Sequence, residues 1–418
     1  MCGILGEFTF KKRLIGKNIF LEILRKSKTR GPDNTQFFSN NLNLQIGFNR
    51  LKILDLKKSG NQPIRSLDKR YLMVYNGEIY NYLEIKKKMK PYGLNFQGNG
   101  DTEVLVNAIS IFGLNKTIQM LDGMFAIALF DNKRNELSLV RDFAGIKPLH
   151  YGIDNKVLFF ASQYNQIVSH PSFYESKTNP EVLKLYLLQH HIPAPFGILD
   201  NTFQVSPGET ILFNKNGRAI KNMYWEFPKY KSPKVYNSKE ALEKIEYSLK
   251  KSVISELVSD VPIGTFLSSG IDSPLISYFS KQNIEGPLKS VTIGSNSSVH
   301  DESALASFYA EKIGLDHVLK KMNSKDAVEL IEDLSKAITE PFADISIIPT
   351  FLASKISKKY FTVALSGDGG DELFFGYERF WSIAKNIKLQ KYPFIVKYFI
   401  YGLDKILTNN KNFNSACL

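Results

Sequence analysis

Cys2 holds the position that most directly suggests chemistry, because it follows Met1 and precedes Gly3. A small second residue permits removal of Met1, which would leave one residue carrying both a thiol and a free α-amine. Such an amine titrates near about 7.7–8.0, so near neutral pH it can act as base for its own thiol. A thiol attacking a carboxamide also needs donors where the tetrahedral oxyanion forms. The run Asn76 to Asn81, NGEIYN, offers the Asn76 amide and the Gly77 backbone N–H for that task. An amino-acid amide presents a carboxylate and an ammonium as well: Arg50 suits the first as a forked donor, and Asp101 in the run GNGDTE suits the second. Taken singly these residues have ordinary readings, a hairpin turn at Asn76-Gly77 and surface charges at Arg50 and Asp101. Their joint occurrence behind Cys2 is what argues for a site.

A second constellation lies downstream. Val261 to Leu267 reads as a short buried strand, SSGIDSP (Ser268 to Pro274) as a small-residue loop, and Pro274 as the first turn of a helix. Backbone N–H groups bared at such a loop, with the hydroxyls of Ser268, Ser269 and Ser273 and the close approach that Gly270 permits, favour a phosphate. No Lys follows the Gly, so this is not a GxxxxGK[ST] loop. Asp272 is placed to hold Mg²⁺ on the phosphates. A second loop, SGDGGDE (Ser366 to Glu372), again follows a strand and precedes a helix. Its clustered carboxylates, Asp368 and Asp371 among them, could hold Mg²⁺ or accept a proton from incoming ammonia.

The elements that must position these residues differ between the halves. In the first, Leu44 to Phe48, Tyr71 to Tyr75, Gly123 to Asp131, Glu136 to Val140 and Val157 to Ala161 read as strands, with helical spacing at 81–90 and 103–112. A hairpin turning at Asn216-Gly217 closes that half, and 229–237 reads as a linker. In the second, Asn237 with Glu240 reads as a helix cap. Leu242, Ile245, Leu249, Val253 and Leu257 then form one apolar stripe expected to cover a sheet. Strands at Ser290 to Ile293 and Phe361 to Leu365 alternate with helices at 302–313, 325–337 and 345–358, which argues a parallel α/β sheet.

With RGPD (Arg30 to Asp33), NGEIYN and RDFAGIKPL (Arg141 to Leu149), residues 1 to about 225 resemble the glutaminase domain of class II glutamine amidotransferases. SSGIDS is similar to the SGGxDS loop of ATP pyrophosphatases, with Ser269 in place of the usual first Gly. Together with SGDGGDE and EPFADISIIP (Glu340 to Pro349), the whole chain resembles the glutamine-dependent asparagine synthetases. The resemblance implies an α+β N-terminal-nucleophile domain, an αββα sandwich, over 1–228, followed by an α/β parallel-sheet ATP pyrophosphatase domain over 238–418. It implies Cys2 as nucleophile, Asn76 and Gly77 at the oxyanion, and Arg50, Glu78 and Asp101 around glutamine. It also implies Leu267, Val291, Ser366 and Gly367 beside ATP, Asp272 and Asp371 on Mg²⁺, and Asp368 at the acyl substrate. The implied reaction converts aspartate to asparagine through an aspartyl-adenylate, with another carboxylate such as a sugar acid left open as acceptor. Thr29, Lys52 and Gln163 depart from the family pattern, and a run close to E-x-R-x-P-F-L-D is not found after Tyr377. The synthetase domain is therefore expected to be C-terminally incomplete, which would leave glutaminase activity or an inactive remnant if adenylation needs the cation of the missing part.

Composition narrows the remaining classes. With 43% hydrophobic and 23% charged residues the chain can bury a core in two domains or three. Lys and Arg exceed Asp and Glu by 13, but they are scattered and not interleaved with aromatics, so no nucleic-acid partner is expected. Cys2 and Cys417 give neither a disulfide framework nor a zinc spacing, which fits a reducing cytoplasm. His190-His191 lacks a third metal ligand. The apolar stretch from Pro393 to Leu403 is too short to span a bilayer, so no membrane partner is expected, and a homodimer is compatible with the resemblance.

Overall fold

The computed structural model describes residues 1–228, 237–296 and 301–390. The expected linker, apart from Asn237, and the stretch from Pro393 to Leu403 lie outside those residues.

The first half runs β1 (Gly3–Thr9), α1 (Lys17–Arg25), β2 (Asn34–Ser39), β3 (Leu44–Arg50), β4 (Ile64–Arg65), β5 (Tyr71–Ile79), α2 (Tyr82–Lys88) and α3 (Asp101–Phe112). It continues through α4 (Leu114–Ile118), β6 (Gly123–Asp131), β7 (Glu136–Arg141), β8 (His150–Ile153), β9 (Val157–Ala161), α5 (Tyr164–Ile167), α6 (Pro180–Gln189), β10 (Thr202–Gln204), β11 (Glu209–Phe213) and β12 (Ala219–Met223). Two antiparallel sheets result, ordered β10-β8-β9-β1-β3-β2 and β12-β11-β7-β6-β5-β4. Side chains alternate across each strand, so a strand buried on both sides feeds two cores. In β1, Ile4 and Phe8 enter the space between the sheets, where Leu72 and Val74 of β5 and Ala126 and Phe130 of β6 meet them. Leu5 turns the other way onto Phe20 and Leu24 of α1. Met73 and Tyr75 of β5 face Val104, Leu105 and Ala108 of α3. The layers are helix, sheet, sheet, helix, the expected αββα sandwich.

The second half carries α7 (Ser238–Glu256), β13 (Ile263–Phe266), α8 (Asp272–Asn283), β14 (Lys289–Ser295), α9 (Ser303–Ile313) and β15 (Asp316–Met322). There follow α10 (Ser324–Ala337), α11 (Ile347–Ser357), β16 (Val363–Leu365), α12 (Gly370–Phe374) and α13 (Glu378–Gln390). Four strands pair in parallel in the order β15-β14-β13-β16. Each parallel crossover is helical, as parallel strands require. Two expectations need correction. Only the C-terminal end of the α7 stripe packs: Val253, with Leu249 and Leu257, lies on Phe279 and Leu365, whereas Leu242 is 66% exposed. Strand β15 also goes unread, because its lysines and half-exposed residues carry little apolar signal at a sheet edge.

Candidate active sites

Cys2 stands immediately before β1, whose first residue pairs with Asn49 of β3. The terminus is held from three sides. The Cys2 N–H donates to Asn76 Oδ1 at 2.9 Å, Arg30 Nε donates to the Cys2 carbonyl at 3.1 Å, and the Leu51 N–H donates to Cys2 Sγ at 3.4 Å. Burial raises the thiol pKa, and the positive α-amine next to it works against that rise. Met1 is half exposed, yet its α-amine is inside, and burial lowers that amine to about 6.

Asn76 and Gly77 do not make a turn; they lie within β5. Asn76 is buried, and its Nδ2 has no hydrogen-bond partner. A buried donor left unpaired costs about 1–3 kcal/mol, so its retention asks for an acceptor that arrives later. Gly77 faces Phe125 in the β5–β6 ladder. Asp142 takes both Phe125 backbone groups, through its own N–H at 2.8 Å and its Oδ2 at 3.2 Å, which leaves the Gly77 N–H off that ladder. A Cβ at Gly77 would sit 2.2 Å from the Met124 carbonyl oxygen, so only glycine fits.

The residues expected around glutamine are buried together and tightly held. Arg50 is 4% exposed and donates to Lys57 O, Asn61 Oδ1, Leu54 O and Asp55 O, so its fork is oriented by the turn that follows it. Asp101 opens α3 and accepts from Tyr75 Oη at 2.7 Å and the Ile79 N–H at 2.9 Å. Burial pushes the Asp101 carboxyl up, while those bonds pull it down. Glu78 is raised well above the usual range, first by burial and then by the Asp101 charge, and its Oε2 has no partner.

Three residues of this neighbourhood were not singled out by type and spacing. Arg30 holds the Cys2 carbonyl. Lys147 is 5% exposed, its ammonium lowered chiefly by burial and raised by Glu78. It is brought inward because Asp142 Oδ1 and Oδ2 accept the N–H groups of Ala144, Ile146 and Lys147, folding the RDFAGIKPL run into a turn. Glu340, from the second domain, is the third. A cavity of about 280 Å³ lies between the domains, lined by Arg30, His150 and Gln163 on one side and Glu340, Phe342 and Phe351 on the other. Gln204 Nε2 donates to Glu340 Oε2 at 3.4 Å, and His150 Nε2 stands 3.9 Å from Oε1. Burial lowers His150 to about 3 and raises Glu340 to about 7, so this contact is not an ion pair at neutral pH.

In the second domain the Ser268–Ser273 run, expected to hold phosphates, joins β13 to α8. The Ser268 N–H donates to Ser273 Oγ at 2.8 Å, and the Ser269 N–H donates to Glu302 Oε2 at 3.2 Å. Gly270 and Ile271 remain exposed. The loop at Ser366–Gly370 lies against Asp272: a Cβ added at Gly370 would be 2.3 Å from Asp272 Oδ2, and one at Gly367 2.9 Å from its Cβ. The two loops therefore meet edge to edge. Burial, then the charges of Asp371 and Glu372, raise the Asp272 carboxyl. Mutually repelling hard oxygens of this kind suit Mg²⁺, which uses one or two carboxylates and takes its remaining ligands from phosphate and water. Asp368 is exposed and accepts from Ser366 Oγ at 2.9 Å. Leu267 and Val291 are buried, with Leu267 packed on Ala306 and Ala310 of α9.

A thiol at the chain start beside an unpaired amide donor, on two antiparallel sheets, defines an amidotransferase domain of the N-terminal-nucleophile class, here joined to a parallel α/β domain. Residues 1–225 match the glutamine amidotransferase domain family and residues 244–410 match asparagine synthase. The chain belongs to the family of glutamine-hydrolysing asparagine synthetases. It is 33% identical over 397 residues to a putative glutamine-hydrolysing asparagine synthetase 2 of Methanocaldococcus jannaschii, covering 90% of this chain and 76% of that protein. It is 30% and 29% identical to the glutamine-hydrolysing asparagine synthetases 1 and 3 of Bacillus subtilis, covering 90% and 91% of this chain but only 59% and 64% of theirs.

Proposed function

We propose that the chain hydrolyses glutamine at Cys2 and passes the ammonia to an ATP-dependent amidation in its second domain. Once Met1 is removed, the Cys2 amine takes the thiol proton as sulfur attacks the carboxamide carbon of glutamine. Asn76 Nδ2 and the Gly77 N–H receive the oxyanion, and collapse of the tetrahedral adduct expels ammonia carrying the transferred proton. Water then cleaves the glutamyl thioester to glutamate. Arg50, both of whose Nη groups are given to the turn after it, offers its positive charge to the substrate carboxylate, while Asp101 and Glu78 face the ammonium. The observation that carries this reading is Asn76 itself, fixed through Oδ1 to the Cys2 N–H with its buried Nδ2 left without a partner.

In the second domain, an acceptor carboxylate attacks the α-phosphorus of ATP, pyrophosphate leaves, and ammonia displaces AMP from the acyl-adenylate. Aspartate is the proposed acceptor, on the strength of the family, and asparagine the product. The Ser268–Ser273 loop would hold the phosphates, and Asp272 and Asp371 would hold Mg²⁺, which when bound would supply positive charge against the departing pyrophosphate. The cavity shared by Arg30 and Glu340 supports a route for ammonia between the sites. Replacing Cys2 with Ala is the test: glutamate release should fall to background, and continued glutamine hydrolysis would refute the nucleophile.

A further inference from the structure

The turn that follows Arg50 is held from both sides. On its inner side Arg50 Nη2 donates to the carbonyls of Leu54 and Asp55. On its outer side lies Asp260, which belongs to the second domain. The Asp260 N–H donates to Ile53 O at 3.0 Å, and Asp260 Oδ2 accepts the Asp55 N–H at 2.8 Å. Asp55 needs such holding, because its φ of 52° is in the left-handed region that non-glycine residues seldom occupy. From that conformation its side chain organises the rest of the pocket wall. Asp55 Oδ2 accepts from Ser59 Oγ at 2.7 Å and from the Asn99 N–H at 3.3 Å. Gly98 and Gly100 close on Asp55 so tightly that an added Cβ would sit 2.4 Å and 3.0 Å from its atoms. Asp101 comes directly after Gly100. One strained turn thus sets both Arg50 and Asp101.

We infer that Asp260 is a positioning residue of the glutamine site contributed by the synthetase domain: it clamps the Asp55 turn and thereby orients Arg50 and Asp101 toward the amino-acid end of the substrate. Asp260 makes its hydrogen bonds to Ile53 and Asp55 rather than to Cys2, and it precedes by three residues the strand that leads into the Ser268–Ser273 loop. The assignment rests on the glutaminase reading above for its kinetic consequence, but the clamp itself does not.

Three variants of the full chain, Asp260→Ala, Asp260→Ser and Asp260→Asn, test it by steady-state glutamine hydrolysis. Ala and Ser cannot reach the Asp55 N–H and should raise KM for glutamine about tenfold while kcat stays within about twofold, because the reacting carboxamide end is untouched. Asn keeps an acceptor oxygen at the same reach and should restore the wild-type KM. A purely structural role would lower kcat and melting temperature together and would not be rescued selectively in KM. Ser is the milder change should Ala fold poorly. Hydrogen exchange over residues 51–60, measured without substrate, should accelerate in Ala and Ser but not in Asn. Unchanged exchange overturns the clamp whether or not the wild type hydrolyses glutamine. Unchanged KM in a folded Ala variant overturns its role in recognition, while a wild-type chain that hydrolyses no glutamine overturns the glutaminase reading separately.

Discussion

Asn76 gives the sharpest quantitative test of the glutaminase site. In the resting protein its Oδ1 makes one bond, to the Cys2 N–H, and its Nδ2 makes none. Asn76→Ala therefore removes one net hydrogen bond from the folded state, worth about 1 kcal/mol, and also deletes an unpaired buried donor, which offsets part of that loss. In a domain of this size the melting temperature should fall by no more than about 2–4 °C. The transition state loses far more. An oxyanion donor contributes about 10²–10³ in kcat, or about 2.7–4 kcal/mol, because the developing charge meets it in a buried site. Asn76→Asp separates the two roles: it keeps an acceptor for the Cys2 N–H and substitutes oxygen for the donor, so kcat should fall at least as far as in Ala. Glutamate release under saturating glutamine, with thermal unfolding in parallel, measures both quantities. An Asn76→Ala enzyme within about threefold of wild-type kcat would refute the assignment, as would a loss of activity explained by a collapse in melting temperature.

The domain interface and the ATP site make further predictions. Glu340 is raised to about 7 from 4.5, so between those pH values the unfolded chain binds fewer protons than the folded one, and stability falls as pH rises. The loss reaches at most about 3 kcal/mol, and Glu340→Gln should flatten it. Chemical denaturation at pH 4.5 and 8 checks this, with identical slopes in both proteins counting against the buried carboxyl. Replacing Asp272 with Asn should weaken Mg-ATP binding by about tenfold, read by titration calorimetry, without changing glutamine hydrolysis; equal affinity would remove Asp272 from the metal site.

How much of this was legible depended on the range of the interaction. Strand β6 reads correctly from Gly123 to Asp131, and β9 from Val157 to Ala161, because strands buried on both faces leave dense apolar runs. The Asn76-Gly77 pair illustrates the opposite case. Its local chemistry is that of a hairpin, yet nine residues from Tyr71 to Ile79 stay extended because β6 pairs along their whole length. The α7 stripe looks uniformly apolar in sequence, but the four-stranded sheet reaches only its C-terminal end. Arg30, Lys147 and Glu340 lie inside the runs RGPD, RDFAGIKPL and EPFADISIIP that carry the family resemblance, but their residue types alone assign them no role. Arg30 is held by the Cys2 carbonyl across 28 positions, Lys147 is turned inward by Asp142 nearby in sequence, and Glu340 meets Gln204 across 136 positions, contacts that only the folded arrangement supplies.

What the order of residues determined by itself is the chemistry on offer: a thiol one residue from the start, a small-residue loop after a strand, and apolar periods of two and 3.6 that specify sheets and helices. Those depend on side-chain type and on contacts between near neighbours. Only the tertiary structure decided which offers were taken up. It left Asn76 Nδ2 buried without a partner, closed the Asp272 loop against Gly370, and brought Asp260 across from the second domain to hold the turn at Asp55. The physical reason is that desolvation and hydrogen-bond satisfaction are properties of the whole packed surroundings of a group, which come into being only when distant segments meet.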